Sequence, residues 1–91
     1  MDAFDARARA ALSGTLVWDN HGCMPLRPDD ERFLPQLERY RQSGMRVVGL
    51  NVGFDAVPWE QTFRMLGTFR HWLARHPRQY RLAETVADLT V

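Results

Sequence analysis

The sequence predicts an α/β fold built on a parallel sheet. Two runs rich in β-forming residues, at 15–18 and 45–54, alternate with segments of helical periodicity. Strands that alternate with helices are typical of parallel sheets connected by right-handed crossovers. A stable parallel sheet needs more than two strands and cover on both faces. We therefore expect the opening of an α/β fold that is incomplete as an isolated chain.

The N-terminal half predicts one helix and one strand. Residues 2–13 favour a helix because Asp2 or Asp5 can cap its start and because alanine and arginine are good helix formers. Gly14 is expected to end this helix in the left-handed conformation. The first strand follows at 15–18 and leads into a polar cluster, and prolines predict a loop over 24–30.

The second half predicts a helix, a strand and a long helix. The second helix covers Phe33–Gln42 and ends at Gly44, and the second strand follows at 45–54. Apolar residues at spacings of three and four predict the third helix from Pro58 to about His76. Residues 82–89 predict a further short helix.

The two faces of the second strand differ in size and polarity, which fits a strand of an enzyme barrel. In such a barrel the bulky face meets the outer helices and the small face looks into the interior. Asn51, near the end of the small face, fits either the mouth of an active site or a hydrogen-bonded polar position inside the barrel. The bulky residues are Val48, Leu50, Val52 and Phe54, and the small or polar ones are Val47, Gly49, Asn51 and Gly53.

Composition limits the domain count and the partners. The 91 residues allow one domain, and 12 basic against 11 acidic residues give a net charge of +1, which argues against a nucleic-acid partner. A basic stripe on the third helix is interpreted as a solvated face; it consists of Arg64, His71, Arg75 and Arg78. The single cysteine excludes an intrachain disulfide. No apolar run is long enough for a membrane span, and charges interrupt the N-terminal residues, so we expect a cytoplasmic protein without a membrane partner.

The polar cluster after the first strand contains candidate metal ligands. Asp19, His21 and Cys23 project to one side if the extended run continues to the cysteine. Imidazole and thiolate are good zinc ligands, and zinc sites also accept carboxylate. The other interpretation is a buried cysteine beside a hydrogen-bonded histidine, which the residues alone favour. A Cys–His nucleophilic pair ranks below both, because residues two apart on one strand face are separated by nearly 7 Å.

The run 17–25, Val-Trp-Asp-Asn-His-Gly-Cys-Met-Pro, resembles the first-strand signature of the membrane (renal) dipeptidase family of zinc peptidases, which reads Asp-Gly-His-Asn-Asp-Leu-Pro. The similarity continues through 33–52, where the family has a helix, a glycine turn and the second barrel strand. The tail 80–89 lies where the family approaches its third strand. The resemblance covers residues 15–91, as the first two βα units of a TIM-barrel-like metallo-hydrolase, with residues 1–14 as an N-terminal helix of the same single segment.

This resemblance implies roles for three residues. His21 matches the first metal-binding histidine of the family, and Cys23 stands where the family has a metal-binding aspartate. Asp19 matches the aspartate that opens the motif, and we expect it to orient His21 from outside the ligand set. Thiolate in place of carboxylate keeps a charged ligand but favours one zinc ion over a bridged pair.

The resemblance further implies zinc-assisted hydrolysis of dipeptides. No catalytic residue is identifiable in the segment, because its four glutamates lie in predicted helices or at their edges and none follows a strand. We therefore expect the 91-residue chain to bind zinc weakly, to be inactive alone and to self-associate through exposed apolar surface. The alternative is a small non-catalytic α/β module that binds a protein partner through exposed apolar faces.

Overall fold

The elements follow the order helix, strand, helix, strand, helix, as the sequence predicts. The computed structural model describes residues 2–89, and residues 1, 90 and 91 of the predicted segment lie outside the described residues. The two strands pair in parallel, with the second helix in the connection between them, so the predicted α/β class is confirmed. The elements are α1 (Ala3–Ser13), β1 (Trp18–Gly22), α2 (Leu37–Gln42), β2 (Val47–Leu50) and α3 (Trp59–Ala74), with 3₁₀ turns at Leu34–Gln36 and Val86–Leu89.

Helix α1 begins at the predicted cap but ends differently. The Asp2 side chain accepts a hydrogen bond from the backbone N–H of Asp5 at 2.8 Å. Gly14 closes the helix with a φ of −93°, so the prediction of a left-handed residue there is wrong. Its N–H donates to the carbonyl of Leu12, which tightens the last turn without a positive φ. Gly44, after α2, is the one residue with positive φ among residues 2–89.

Strand β1 starts three residues later than its pattern predicts. The backbone N–H groups of Arg46 and Val47 both donate to the carbonyl of Val17, so pairing begins at the end of the apolar run 15–18. The register then aligns Trp18 with Val47 and Gly22 with Leu50, with an irregularity between them. The predicted polar cluster is therefore mostly strand, because β2 supplies hydrogen-bond partners that outweigh the low β propensity of its residues.

The core lies where α3 packs against α2 and the 3₁₀ turn that precedes it. Leu50 and Val52 of the bulky strand face pack against this core, as predicted, but Phe54 is 64% exposed. No helix within residues 2–89 has both the length and the apolar character required to cross a membrane. The buried side chains are Phe33, Leu34, Leu37, Met65, Phe69 and Trp72.

The loop between β1 and α2 is fastened to α3 by polar contacts. The Thr68 hydroxyl donates to the carbonyl of Pro28, and Gln61 Nε2 donates to the carbonyl of Leu26 at 3.4 Å. Two arginines of the predicted basic stripe also form ion pairs with carboxylates of this loop. The interpretation of the stripe as a solvated face does not predict these ion pairs. The pairs are Arg75–Glu31 at 2.6 Å and Arg64–Asp29 at 3.4 Å.

Candidate metal centre at the end of the paired strands

Asn51 brings the two predicted metal ligands to one point. Its Nδ2 lies 3.2 Å from Nε2 of His21 and 3.4 Å from Sγ of Cys23. The amide donates to the thiol sulfur, and it donates to the imidazole when Nε2 carries a lone pair. His21 and Cys23 are exposed and Asn51 is half-buried, so solvent and ligands reach both donor atoms.

The parallel register produces this convergence. His21 and Cys23 flank the end of β1, and Asn51 directly follows β2, so all three side chains lie at the carboxyl ends of paired strands. The backbone N–H of Asn51 donates to the carbonyl of Gly22 at 3.0 Å, which extends the ladder into the site. A Cβ at Gly22 would lie 2.7 Å from Cγ1 of Val48, so glycine between His21 and Cys23 permits this close approach of the two strands.

Asp19 contacts His21 through the main chain. Its Oδ1 accepts a hydrogen bond from the backbone N–H of His21 at 2.8 Å. This contact fixes the backbone of β1 immediately before the candidate ligand. The predicted action of Asp19 on the imidazole ring stays a prediction.

Both loops that leave the site are held in place. The Arg32 side chain and backbone N–H hydrogen-bond to Asp30, which lowers the pKa of that carboxyl to about 2. On the other loop, Gly53 lies against Thr62 of α3 so closely that a Cβ would overlap the hydroxyl. Thr68 of α3 donates to the carbonyl of Pro28 and Thr62 of α3 lies against Gly53, so Cys23 and Asn51 stand at the start of segments that contact the same helix.

The donor atoms fit zinc in type but not in number. An imidazole nitrogen and a thiolate sulfur are common zinc ligands, but a catalytic site takes three protein ligands and a structural site four. Within residues 2–89, no three side chains of histidine, cysteine, aspartate or glutamate form a group that could hold a metal ion. Among the described residues, His21 and Cys23 therefore supply two donor atoms, fewer than either kind of zinc site takes.

The arrangement does not resemble a nucleophilic Cys–His pair. Such a pair needs the thiol and imidazole in hydrogen-bond reach of each other. Among the described residues, the side-chain hydrogen bonds at this point run from Asn51 to each group and none joins His21 to Cys23. Both groups lie within hydrogen-bond distance of the same amide nitrogen, Nδ2 of Asn51.

Sequence reasoning places Asn51 at this end of the strand but not in contact with the ligands. The missing signal is the register, since only the alignment of Gly22 with Leu50 brings position 51 beside positions 21 and 23. Comparisons with family models, with curated proteins and with solved structures find no match to this chain.

Proposed function

We propose that the chain forms the N-terminal part of a zinc-dependent hydrolase that acts on dipeptides. The observation that carries this proposal is the convergence of His21, Cys23 and Asn51 at the carboxyl ends of two parallel strands. In α/β barrels, catalytic groups stand at the carboxyl ends of the strands. The resemblance of residues 17–25 to the renal dipeptidase signature supplies the class of reaction.

The role of each residue follows from its donor atoms. His21 offers Nε2 and Cys23 offers Sγ, while Asp19 holds the backbone amide of His21 in place. A zinc ion held by these two residues and further ligands would polarise a peptide carbonyl and activate water. Because two ligands are fewer than a catalytic site requires, we propose that the described residues hold zinc weakly and that turnover needs further ligands.

The first test measures zinc affinity of the 91-residue chain and of its His21→Ala and Cys23→Ser variants. Titration against a chromophoric chelator gives the dissociation constant, and the absorption of bound Co²⁺ reports thiolate ligation. We expect each variant to weaken binding at least about tenfold, because each removes one of two donor atoms. His71→Ala is the matched control, since His71 is an exposed histidine of α3 outside this site.

Equal affinity of the wild type, His21→Ala and His71→Ala would contradict the proposed metal site. Activity is measured in parallel with a simple dipeptide and added zinc. We expect no turnover by the 91-residue chain, and in any longer protein that contains it we expect His21→Ala to remove zinc and dipeptide hydrolysis together. A longer protein that keeps full dipeptidase activity with alanine at position 21 would exclude the proposed reaction.

A second candidate function is a non-catalytic module that binds a protein through apolar surface. Trp59 and Phe63 of α3 are 66% and 65% exposed and stack edge to face at 5.6 Å, forming what we call the aromatic pair. Large exposed aromatic side chains are enriched at protein interfaces. Both candidates are compatible with one molecule, because the aromatic pair and the His21–Cys23 site use different residues.

A further inference from the structure

Helix α3 has two apolar faces, and the fold buries only one of them. On the other face, Trp59, Phe63 and Leu66 are 66%, 65% and 40% exposed. Arg70 continues this row by one turn, with a side chain that is 57% exposed. Residues at these spacings lie within about 60° of one another around a helix, so they form one narrow row. We call Trp59, Phe63, Leu66 and Arg70 the α3 stripe.

The α3 stripe is complementary to a second copy of itself. Its spacings of four, three and four residues are the same in both directions along the helix. When two copies of α3 pack antiparallel about a two-fold axis, Phe63 lies opposite Leu66 of the second copy, and Trp59 lies opposite Arg70 of the second copy. The same spacing marks the positions at which paired helices insert side chains between one another. A two-fold interface uses the same patch on both molecules, which this row of residues allows.

The opposed residues also match in chemistry. Phe63 and Leu66 are both apolar, and a guanidinium group packs favourably on the face of an indole ring. Within its own chain, Arg70 has only a distant ion pair with Glu84, at 4.0 Å between exposed groups. Such a pair contributes little to stability, so Arg70 can turn to an aromatic ring of another molecule. The net charge of +1 opposes the approach of two copies only slightly.

The area of the stripe suits a weak dimer. A covered aromatic side chain buries about 150–250 Å², so two-thirds exposure leaves roughly 100–150 Å² to bury at each of Trp59 and Phe63. With Leu66, Arg70 and their neighbours on the helix, two copies cover on the order of 1,000 Å², the lower bound for a specific interface. We propose that the α3 stripe is the interface of an antiparallel homodimer in which Trp59 of each copy stacks on Arg70 of the other.

This inference deepens the second candidate function by naming the partner of the aromatic pair, a second copy of this chain. It does not involve the His21–Cys23 site, and the variants that test it leave both of those residues unchanged. Loss of the dimer therefore leaves the zinc test of the proposed hydrolase unaffected.

The experiment is a double-mutant cycle on the dissociation constant of the dimer, measured by sedimentation equilibrium of the 91-residue chain. Its variants are Trp59→Ala, Arg70→Ala and the two combined. Trp59 and Arg70 lie about 16 Å apart along α3, so they do not contact each other within one copy. Coupling between the two substitutions therefore reports a contact between copies, and the antiparallel arrangement provides that contact.

We expect Arg70→Ala to raise the dissociation constant at least about fivefold in the wild-type chain and to have no further effect beside Trp59→Ala. Arg70→Lys keeps a cation and should recover part of the lost affinity. Arg64→Ala is the matched control, because Arg64 is an exposed arginine of α3 outside the stripe that pairs with Asp29. It should leave the dissociation constant unchanged, and far-UV circular dichroism checks that every variant keeps its helices.

A wild-type chain that stays monomeric over the concentration series overturns the proposal. A dimer in which the effects of Trp59→Ala and Arg70→Ala are additive also overturns it, because the two residues then do not meet across the interface. Coupling of at least about fivefold, together with an unchanged Arg64→Ala variant, supports the antiparallel homodimer.

Discussion

Close backbone approaches at single residues hold the His21–Cys23–Asn51 cluster in place, and Gly53 is the tightest of them. A Cβ at this position would lie 3.0 Å from Cγ2 of Thr62 and would overlap its hydroxyl. Gly53 follows Asn51 by two residues, so this contact fixes the chain that leaves the site. A side chain at position 53 must therefore displace either α3 or the segment that carries Asn51.

Gly53→Ala is expected to lower the free energy of unfolding by about 1–3 kcal/mol, the usual cost of added atoms in a packed site. Gly67→Ala is the matched control, because nothing lies within 4 Å of a Cβ there and alanine favours the helix interior. That control should raise stability by about 0.5–1 kcal/mol. Urea denaturation measures both, and an equal effect of the two substitutions would show that Thr62 does not resist the added methyl.

Removal of the Thr62 side-chain atoms tests whether contact with Thr62 causes the destabilisation expected for Gly53→Ala. Thr62→Ala deletes the hydroxyl and the methyl that a Cβ at Gly53 would meet. The double variant Gly53→Ala, Thr62→Ala should therefore show a favourable coupling energy relative to the sum of the single variants. If the changes in the free energy of unfolding are additive, the destabilisation by alanine at position 53 arises from its backbone conformation and not from contact with Thr62.

At the residue scale, the sequence predicts which residues form the candidate site and to which side of a strand they project, but it does not predict which of them are in contact. The alternation of Asp19, His21 and Cys23 indicates a shared side of the strand, and the small face of the second strand contains Asn51. The contact between Asn51 and the other two depends on the parallel register and on an irregularity within β1. Register is decided by pairing between distant segments, which no local pattern specifies.

At the scale of elements, periodicity predicts which helices and strands exist, and tertiary partners decide where they end. Helix α3 runs over 59–74 within its predicted range because its apolar spacing is long and regular. The predicted second helix divides into a 3₁₀ turn and α2, and Pro35 stands at the start of that turn. The predicted strand 45–54 is regular strand only over Val47–Leu50, with one further backbone hydrogen bond to the first strand segment at each end, from Arg46 to Val17 and from Asn51 to Gly22.

The segment that follows α3 is joined to α2 by Tyr80, whose hydroxyl donates to Glu38 at 2.9 Å. Burial, followed by this hydrogen bond, raises the pKa of Tyr80 from 10.0 to about 12. Between these two values the unfolded chain releases the phenol proton and the folded chain retains it. The contact therefore stabilises the fold below pH 10, and its contribution is lost as the pH rises from about 10 to about 12.

Tyr80→Phe is expected to remove this loss of stability at alkaline pH. At neutral pH it should lower the free energy of unfolding by about 1 kcal/mol, the usual net contribution of one hydrogen bond. Denaturant midpoints of wild type and variant, measured from pH 8 to pH 11.5, check the expectation. Tyr40→Phe is the control, because Tyr40 also packs against the core but lies on α2. Identical alkaline slopes in wild type and Tyr80→Phe would mean that Tyr80 does not contribute to the pH dependence.

At the scale of the whole molecule, the chain exposes more surface than its length requires. Its accessible surface is 7021 Å², whereas a compact monomer of 10.6 kDa has roughly 5,500 Å². Its radius of gyration is 15.0 Å, against about 12 Å for a compact domain of this length. Helix α1 contributes no buried residue, and β1 and β2 are the only strands within residues 2–89.

The excess surface can support association between copies. A standard protein interface covers about 800 Å² on each partner, which is less than the excess of this chain. The aromatic pair Trp59–Phe63 offers an apolar contact, and the two-stranded sheet has no further strand at either edge within residues 2–89. We therefore predict that the 91-residue chain self-associates at micromolar concentration and that the aromatic pair contributes most of the contact energy.

Phe63→Glu tests this prediction by placing a charge within the aromatic pair. Glutamate is a good helix former and Phe63 is exposed, so α3 should persist while association weakens by at least about tenfold. Phe4→Glu is the matched control, since Phe4 is an 80% exposed phenylalanine on α1 and acquires the same charge. Sedimentation velocity over a concentration series measures both variants. A wild-type chain that stays monomeric would contradict self-association, and equal weakening by the two substitutions would place the contact outside the aromatic pair.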